Sequence, residues 1–263
     1  MANALTDQIT KEAWEKNWEN IPMEKILEIF NYVRVKKQMD IFLKVLPKNG
    51  KILEGGCGLA PYLIRLRQMG YDVTGIDYNE GPIQKILAYD ATLPVRVGDV
   101  TAIPYPDASF GAYLSLGVIE HFTDGPQKAI QEASRVLRPG GVFLVAVPTW
   151  NIFMTLAWPL KALKASAWIR RFFGKPVEHH YWEQYFKKKK LVKYLEQGGF
   201  KVREIHPLDH SHTLVSFSRL FRDRTQYDEA NAWALRLAGL FEKYLPWQTA
   251  SQMTLVCEKI GKP

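Results

Sequence analysis

The residues whose types and spacing could do chemistry gather first in one short stretch, Ile52-Leu53-Glu54-Gly55-Gly56-Cys57-Gly58-Leu59-Ala60, followed by Asp77 at the end of the next apolar segment. A short strand here runs into glycines and then into a helix beginning near Pro61. Glycines at such a bend let the backbone approach a bound molecule closely, because no Cβ intervenes. An acid closing the second strand is placed to accept hydrogen bonds from ribose hydroxyls, although an aspartate there can also simply cap the next helix. Together these residues point to an adenosine cofactor on a doubly wound α/β sheet. A nicotinamide or flavin fingerprint needs Gly-x-Gly-x-x-Gly. Counted from Gly56, the third glycine falls on Pro61, and that fingerprint fails.

The same row resembles the nucleotide loop of the class I S-adenosylmethionine-dependent methyltransferases, an acid-x-Gly-x-Gly-x-Gly pattern. Glu54, Gly56 and Gly58 match it, and Ala60 stands where the last glycine usually is. An alanine would crowd the loop if its φ were positive. The resemblance extends through Val95-Arg96-Val97-Gly98-Asp99-Val100, a short strand ending in an acid, and Ile103 to Phe110, the entry to a fourth strand. That strand and its exit read Ala112 to Phe122. A helix from about Gly125 to Leu137 follows, and Arg138-Pro139-Gly140-Gly141 turns the chain into an apolar fifth strand, Val142 to Val147. The likeness runs from about Lys51 to Val147 and is looser beyond.

The resemblance implies a Rossmann-like α/β fold, a seven-stranded methyltransferase sheet with helices on both faces and an antiparallel last strand. It also implies roles. Gly55, Gly56 and Gly58 would lie against the methionine part of S-adenosylmethionine, with Glu54 near its ammonium end. Asp77 would take both ribose hydroxyls and Asp99 the adenine amine, with the Val100 backbone N–H beside the ring. For Asp99 a plain turn is the alternative. Leu116 and Gly117, ending the fourth strand, would border the sulfonium.

The elements that must position these groups divide the chain into a helical N-terminal extension, 1–50, and a methyltransferase domain, 51–263, with lid-like helical insertions at 151–185 and 210–250. At 263 residues the chain is long enough to bury a sizeable core. Thr10 is expected to cap a short helix carrying Trp14 and Trp18, and Pro22 to open a longer one with Ile26, Ile29, Val33 and Lys37 on one face. Strands and helices alternate over 51–147, which implies a parallel sheet. Beyond it come a helix from Leu191 to Gln197, a strand from Phe200 to Ile205 and a final strand from Met253 to Glu258. Leu214 to Leu245 reads mostly helical, with Trp233, Leu237 and Leu240 on one face. Two cysteines, Cys57 and Cys257, suggest neither a disulfide framework nor a zinc site. The first residues lack the apolar core of a signal peptide, so the cytoplasm is the expected location.

Methyl transfer is an in-line displacement at an activated sulfonium, so the protein must chiefly align a nucleophile and exclude water. For a hydroxyl acceptor a base contributes further. His121 is the candidate, since histidine exchanges protons near neutral pH and the fourth strand's exit opens near the reactive methyl. Capping of the next helix by Glu120 and His121 is the alternative. Glu178, His179, His180 and Tyr181 form a second polar cluster, either substrate-contacting or a solvated loop.

The segment Asn151 to Tyr185 interleaves aromatic and aliphatic residues with Lys161, Lys164, Arg170 and Arg171. Its apolar run is too short to span a bilayer. It can cover an apolar acceptor or lie in the headgroup region, giving a peripheral membrane contact through 151–173. The ubiquinone-biosynthesis O-methyltransferases have a comparable insertion, and their Glu-x-x-Glu-His at the fourth strand's exit is linked to a divalent metal. Here Gly117 replaces the first glutamate, so no metal site is expected. The net charge of +8 and the run Lys187 to Lys190 invite nucleic acid, but lysines without interleaved aromatics usually form a solvated helix face. Ser115-Leu116-Gly117-Val118 also lacks the Asn/Asp-Pro-Pro-aromatic turn of base-amine methyltransferases. The expectation is O-methylation of a small, partly apolar acceptor. An RNA-modifying enzyme and an inactive cofactor-binding regulator are the alternatives.

Overall fold

The computed structural model describes residues 2–156, 183–223 and 230–261. Seven strands among them form one sheet: β1 (Ile52–Gly55), β2 (Val73–Asp77), β3 (Val95–Val97), β4 (Phe110–Leu116), β5 (Leu137–Pro148), β6 (Phe200–Leu208) and β7 (Gln252–Lys259). Their order is β3-β2-β1-β4-β5-β7-β6. The first five are parallel, and β7 runs antiparallel to both β5 and β6. This is the seven-stranded Rossmann-like sheet of the class I methyltransferases, as the sequence leads one to expect.

Strand composition follows from burial on two faces. Ile52, Leu53, Ala112, Leu114, Leu144 and Val145 are wholly buried, because helices cover a parallel sheet on both sides. One face packs on α2 (Val33–Val45), α3 (Pro61–Gln68) and α4 (Glu80–Tyr89) through Phe42, Leu63, Leu66 and Ile86. The other packs on α5 (Gln127–Val136) and α6 (Lys188–Gln197) through Ile130, Ala133, Leu191 and Leu195. From β1 the chain winds outward to β2 and β3, then returns to β4 on β1's other side. Ligands of open α/β sheets bind at such a reversal, outside the carboxyl ends of the strands. Here that places the crevice between Gly55 and Leu116.

Several boundaries differ from the sequence reading. Helix α1 (Ala2–Glu19) runs straight through Thr10, so no helix begins there. The single longer helix after Pro22 is two: a 3-10 helix, Met23–Asn31, and α2, divided at Tyr32, whose extended ψ of 134° interrupts the spiral. The break rotates the buried face. Val33 lies exposed and Val35, Met39 and Phe42 turn inward, while Lys37 pairs with Glu242. In α8 (Ala232–Tyr244) the inward face is Ala234 and Ala238, with Trp233 and Leu240 exposed. Small residues face inward there because the helix lies close over α7 (His210–Phe217), in a satellite core that also takes Leu214, Val215, Phe153 and Phe241. No helix among the described residues is long and apolar enough to cross a membrane.

Leu144 is fully buried at the centre of the sheet, between β4 and β7. Leu144→Ala should therefore lower the unfolding free energy by about 2–5 kcal/mol, read as a lower denaturant midpoint at unchanged slope. A midpoint within error of the parent would contradict this placement of the core.

Candidate active site

The glycine loop is held by β2. Gly56 and Cys57 both donate their N–H to the Ile76 carbonyl, at 2.8 and 3.0 Å, and Gly58 N–H donates to Asp77 Oδ2 at 2.8 Å. Gly56 and Gly58 have φ of 71° and 51°, and Ala60 follows at 56°. The crowding foreseen for an alanine at that position is thus present, held by a wholly buried side chain. A Cβ on Gly56 would lie 2.5 Å from Val118, and one on Gly58 2.8 Å from the Trp18 ring. Only glycine lets these side chains close on the loop.

Ala60 is the N-cap of α3 and has no side chain to cap it. Glu54 does that work from β1: its Oε2 accepts the Leu63 N–H at 2.9 Å. Burial pushes the Glu54 carboxyl up to about 8, against the pull of that N–H and with a further push from Asp77. A cation arriving here would favour its ionised form. Asp77 also accepts the Asn79 N–H on Oδ1 at 2.9 Å. Burial raises its pKa, opposed by the Asn79 and Gly58 N–H groups and by Lys11. Counting also the Tyr78 N–H that acts on it, the two carboxylate oxygens together still keep lone-pair capacity. Beside it, the buried Oδ1 of Asn79 has no partner. Unspent acceptors at the end of β2 suit ribose hydroxyls, which are donors, so the residues present fit an adenosine group.

β3 ends at Val97, two residues short of Asp99. Asp99 is exposed, and its Oδ1 accepts the Thr101 N–H at 2.7 Å, so it does form the turn weighed from the sequence. Val100 packs its side chain into the core near Tyr113. Leu116 and Gly117, at the end of β4, border a cavity of about 530 Å³ that also takes in Arg34, Gln38 and Tyr62 from the N-terminal side, and Phe153, His212 and Phe217 from the insertions. Arg34 reaches Asp209 at 3.3 Å, and Gln38 is fixed by Tyr62 and Thr254, so that wall is internally satisfied.

Glu120 is different. It lines the cavity, is 3% exposed, and its Oε2 has no hydrogen-bond partner. Burial, with repulsion from Glu183, pushes it up to about 8 against the pull of nearby N–H groups. His121 follows it in a short 3-10 turn, Ile119–His121, and packs edge-on against Trp14 with ring centroids 5.5 Å apart. It is not among the described residues that line the cavity. Glu178, His179, His180 and Tyr181 lie outside the described residues, as does most of 151–173. In the described part of that segment Ile152 and Leu156 are exposed. No cluster able to hold a metal ion occurs among the described residues. Arg34, Gln38, Tyr62 and His212 carried no signal in the sequence. Trp14 and Trp18, four apart and so on one helix face, carried one.

The sheet order, the loop and the closing acid of β2 define a class I S-adenosylmethionine-dependent methyltransferase fold. Comparison with known proteins agrees. Residues 53–145 match the methyltransferase domain family. Over 97 residues, 37% of this chain and 37% of its relative, the sequence is 38% identical to the protein named Probable S-adenosylmethionine-dependent methyltransferase of Mycolicibacterium smegmatis. Over 149 residues it is 30% identical to 2-methyl-6-phytyl-1,4-hydroquinone methyltransferase 2 of Oryza sativa, covering 56% of this chain and 37% of that one. The chain therefore spans well under half the length of these relatives. A solved S-adenosylmethionine-dependent methyltransferase of Methanosarcina mazei superposes with a TM-score of 0.60 at 18% identity, over 84% of this chain and 98% of that one. The match to the methyltransferase domain family thus covers residues 53–145, the fold extends the likeness over the whole sheet, and the names of the Mycolicibacterium and Methanosarcina proteins give S-adenosylmethionine as their methyl donor.

Calorimetry should show S-adenosylhomocysteine binding and no binding of NAD. Asp77→Asn should weaken it by roughly 1–3 kcal/mol, the loss expected for a charged hydrogen-bond acceptor. Glu54 adds a pH dependence: a bound ammonium favours the ionised form, so binding expels a proton and affinity rises with pH until about 8, then levels off. Unchanged affinity in the variant, or affinity falling over that pH interval, would remove these residues from the cofactor site.

Proposed function

We propose that this protein transfers a methyl group from S-adenosylmethionine to a small, partly apolar acceptor held in the cavity beside Gly117. The cofactor supplies a methyl group on a positively charged sulfur, activated for displacement. The observation that carries the reading is the cavity itself, which begins at the end of β4 next to the glycine loop. Its mixed wall supports an acceptor with one apolar and one polar end: Phe153, Met154 and Phe217 offer carbon surface, and Arg34, Gln38 and Glu120 offer polar atoms. The name of the rice relative, a phytyl-hydroquinone methyltransferase, is in keeping with such an acceptor.

O-methylation requires the hydroxyl proton to leave. Glu120 faces the cavity with an unpartnered Oε2, and in this reading it takes that proton. His121, named from the sequence as the base, instead packs on Trp14. The cavity's fixed wall of Gln38 and Tyr62 orients the acceptor, and closure around it excludes water. The insertion that begins with exposed Ile152 and Leu156 gives this reading a corollary, reversible contact with anionic membranes from which an apolar acceptor could be drawn.

Incubation with S-adenosylmethionine and a small-molecule extract should release S-adenosylhomocysteine. Glu120→Gln should lower the maximal rate by about a hundredfold or more while leaving cofactor affinity nearly unchanged, and His121→Ala should lower it less. With Glu120 acting as a base, the rate should climb with pH through about 8 and lose that limb in the variant. Cofactor binding without turnover would favour the regulatory alternative. A fully active Glu120→Gln beside an inactive His121→Ala would return the base to His121.

A further inference from the structure

Helix α1 lies across the crevice in which the adenosine group is read to sit. The Trp18 indole rests on Gly58 so closely that a Cβ there would stand 2.8 Å from the ring. Trp14 stacks on Trp18, centroids 5.2 Å apart and planes 18° apart, and meets His121 edge-on. Two indoles thus bridge the space from the loop after β1 to the exit of β4. One turn earlier, the Lys11 ammonium sits over the Tyr78 ring at 5.6 Å, next to Asp77. At the far end Lys85 donates to the Trp18 and Glu19 carbonyls at 2.9 and 2.8 Å, a cation on the carbonyl end of a helix where the dipole favours it.

Beneath this helix Asp77 is 5% exposed and Asn79 1% exposed. Both side chains are thus nearly closed to solvent, and Lys11 of α1 is among the charges that act on Asp77. In the part of the helix whose side chains are described, Trp18 makes the contact with the core. Between Lys11 and Glu19 it is mostly charged and exposed, and its apolar contacts are concentrated in the two tryptophans. An element with so little buried carbon surface opens at low free-energy cost.

We propose that Trp18 is a cofactor-binding residue, and that α1 is the movable outer wall of the S-adenosylmethionine site. It opens to admit the cofactor and closes the Trp18 indole over it, with Trp14 on His121 and Lys85 on the helix end as the latches. Two adjacent π faces suit a ligand that carries both a heteroaromatic ring and a sulfonium cation. His121 acquires a positioning role, as the surface on which the wall closes. The proposal rests on the cofactor reading above.

The test uses the full chain and S-adenosylhomocysteine as the probe. Its affinity is measured by calorimetry and its release by displacement of radiolabelled ligand with excess unlabelled ligand. Trp18→Ala should speed release by about tenfold or more and weaken affinity in step, as expected when the lost contact acts on the off-rate, while Trp18→Phe restores most of the difference. Hydrogen exchange of residues 11–20 should slow when the probe is added. Unchanged circular dichroism will show that the variants fold, and because Trp18 packs on the edge of the core, Trp18→Phe, which keeps an aromatic ring there, controls for lost packing. Tighter binding by Trp18→Ala would make the indole a plug and overturn the proposal. So would parent-like release, or exchange indifferent to the probe. Absence of binding by the parent chain would instead overturn the cofactor reading itself.

Discussion

The site depends on what one carboxylate does for the backbone. Asp77 ends β2 and receives the N–H of Gly58 on one oxygen and of Asn79 on the other. Those two bonds tie the loop after β1 to the start of the chain's next crossing, across the gap between neighbouring strands. The Ile76 carbonyl adds two more, to Gly56 and Cys57. A loop with three left-handed residues at alternate positions, Gly56, Gly58 and Ala60, has no helix or strand ladder of its own to hold it. β2 supplies the acceptors instead. The loop's conformation is thereby set by the protein's own bonds, and preorganisation of this kind reduces the ordering that binding would otherwise require.

Much of this was legible in the sequence, for a definite reason. The parallel core must be apolar on both faces, so its strands stand out as short hydrophobic runs, and the acids and glycines that end them fall at the one edge where ligands bind. Asp77 could be placed from its position at the end of such a run, and Glu54 and Gly117 from the family resemblance that the same runs carry. The acceptor side could not. Arg34, Gln38, Tyr62 and His212 meet there because α2 and α7 are brought together through the Arg34–Asp209 pair, between residues far apart in the chain. Periodicity reports which face of a helix is buried, and it carries no information about which distant helix it will meet. The misplaced faces around Val33 and Trp233 have a related cause. One backbone break at Tyr32 resets the phase of everything after it, and α8 buries alanines because a close neighbour leaves no room for larger side chains.

His121 shows how adjacency in sequence can mislead. Glu120 and His121 are neighbours in a short 3-10 turn, and the turn directs one side chain inward to the cavity and the other outward to α1. The choice between them is a matter of local backbone geometry. Residue type favours histidine as a base near neutral pH, whereas geometry favours the glutamate, and proton transfer demands reach before it demands a matched pKa.

Glu54, Asp77 and Glu120 are all buried carboxyls at the same edge of the sheet, and burial raises the pKa of each. Between the ordinary carboxylate range and about 8, the folded chain therefore holds protons on Glu54 and Glu120 that the unfolded chain has already released. Linkage then makes the folded state lose stability as pH rises through that interval, with the loss complete above about 8. A fold selected for stability alone would not collect such groups in one place. A cationic ligand reverses the sign: its charge favours the ionised carboxyls, so the same burial that weakens the empty protein strengthens the occupied one. On the cofactor reading proposed above, the electrostatic strain at this edge is what a sulfonium and an ammonium would relieve.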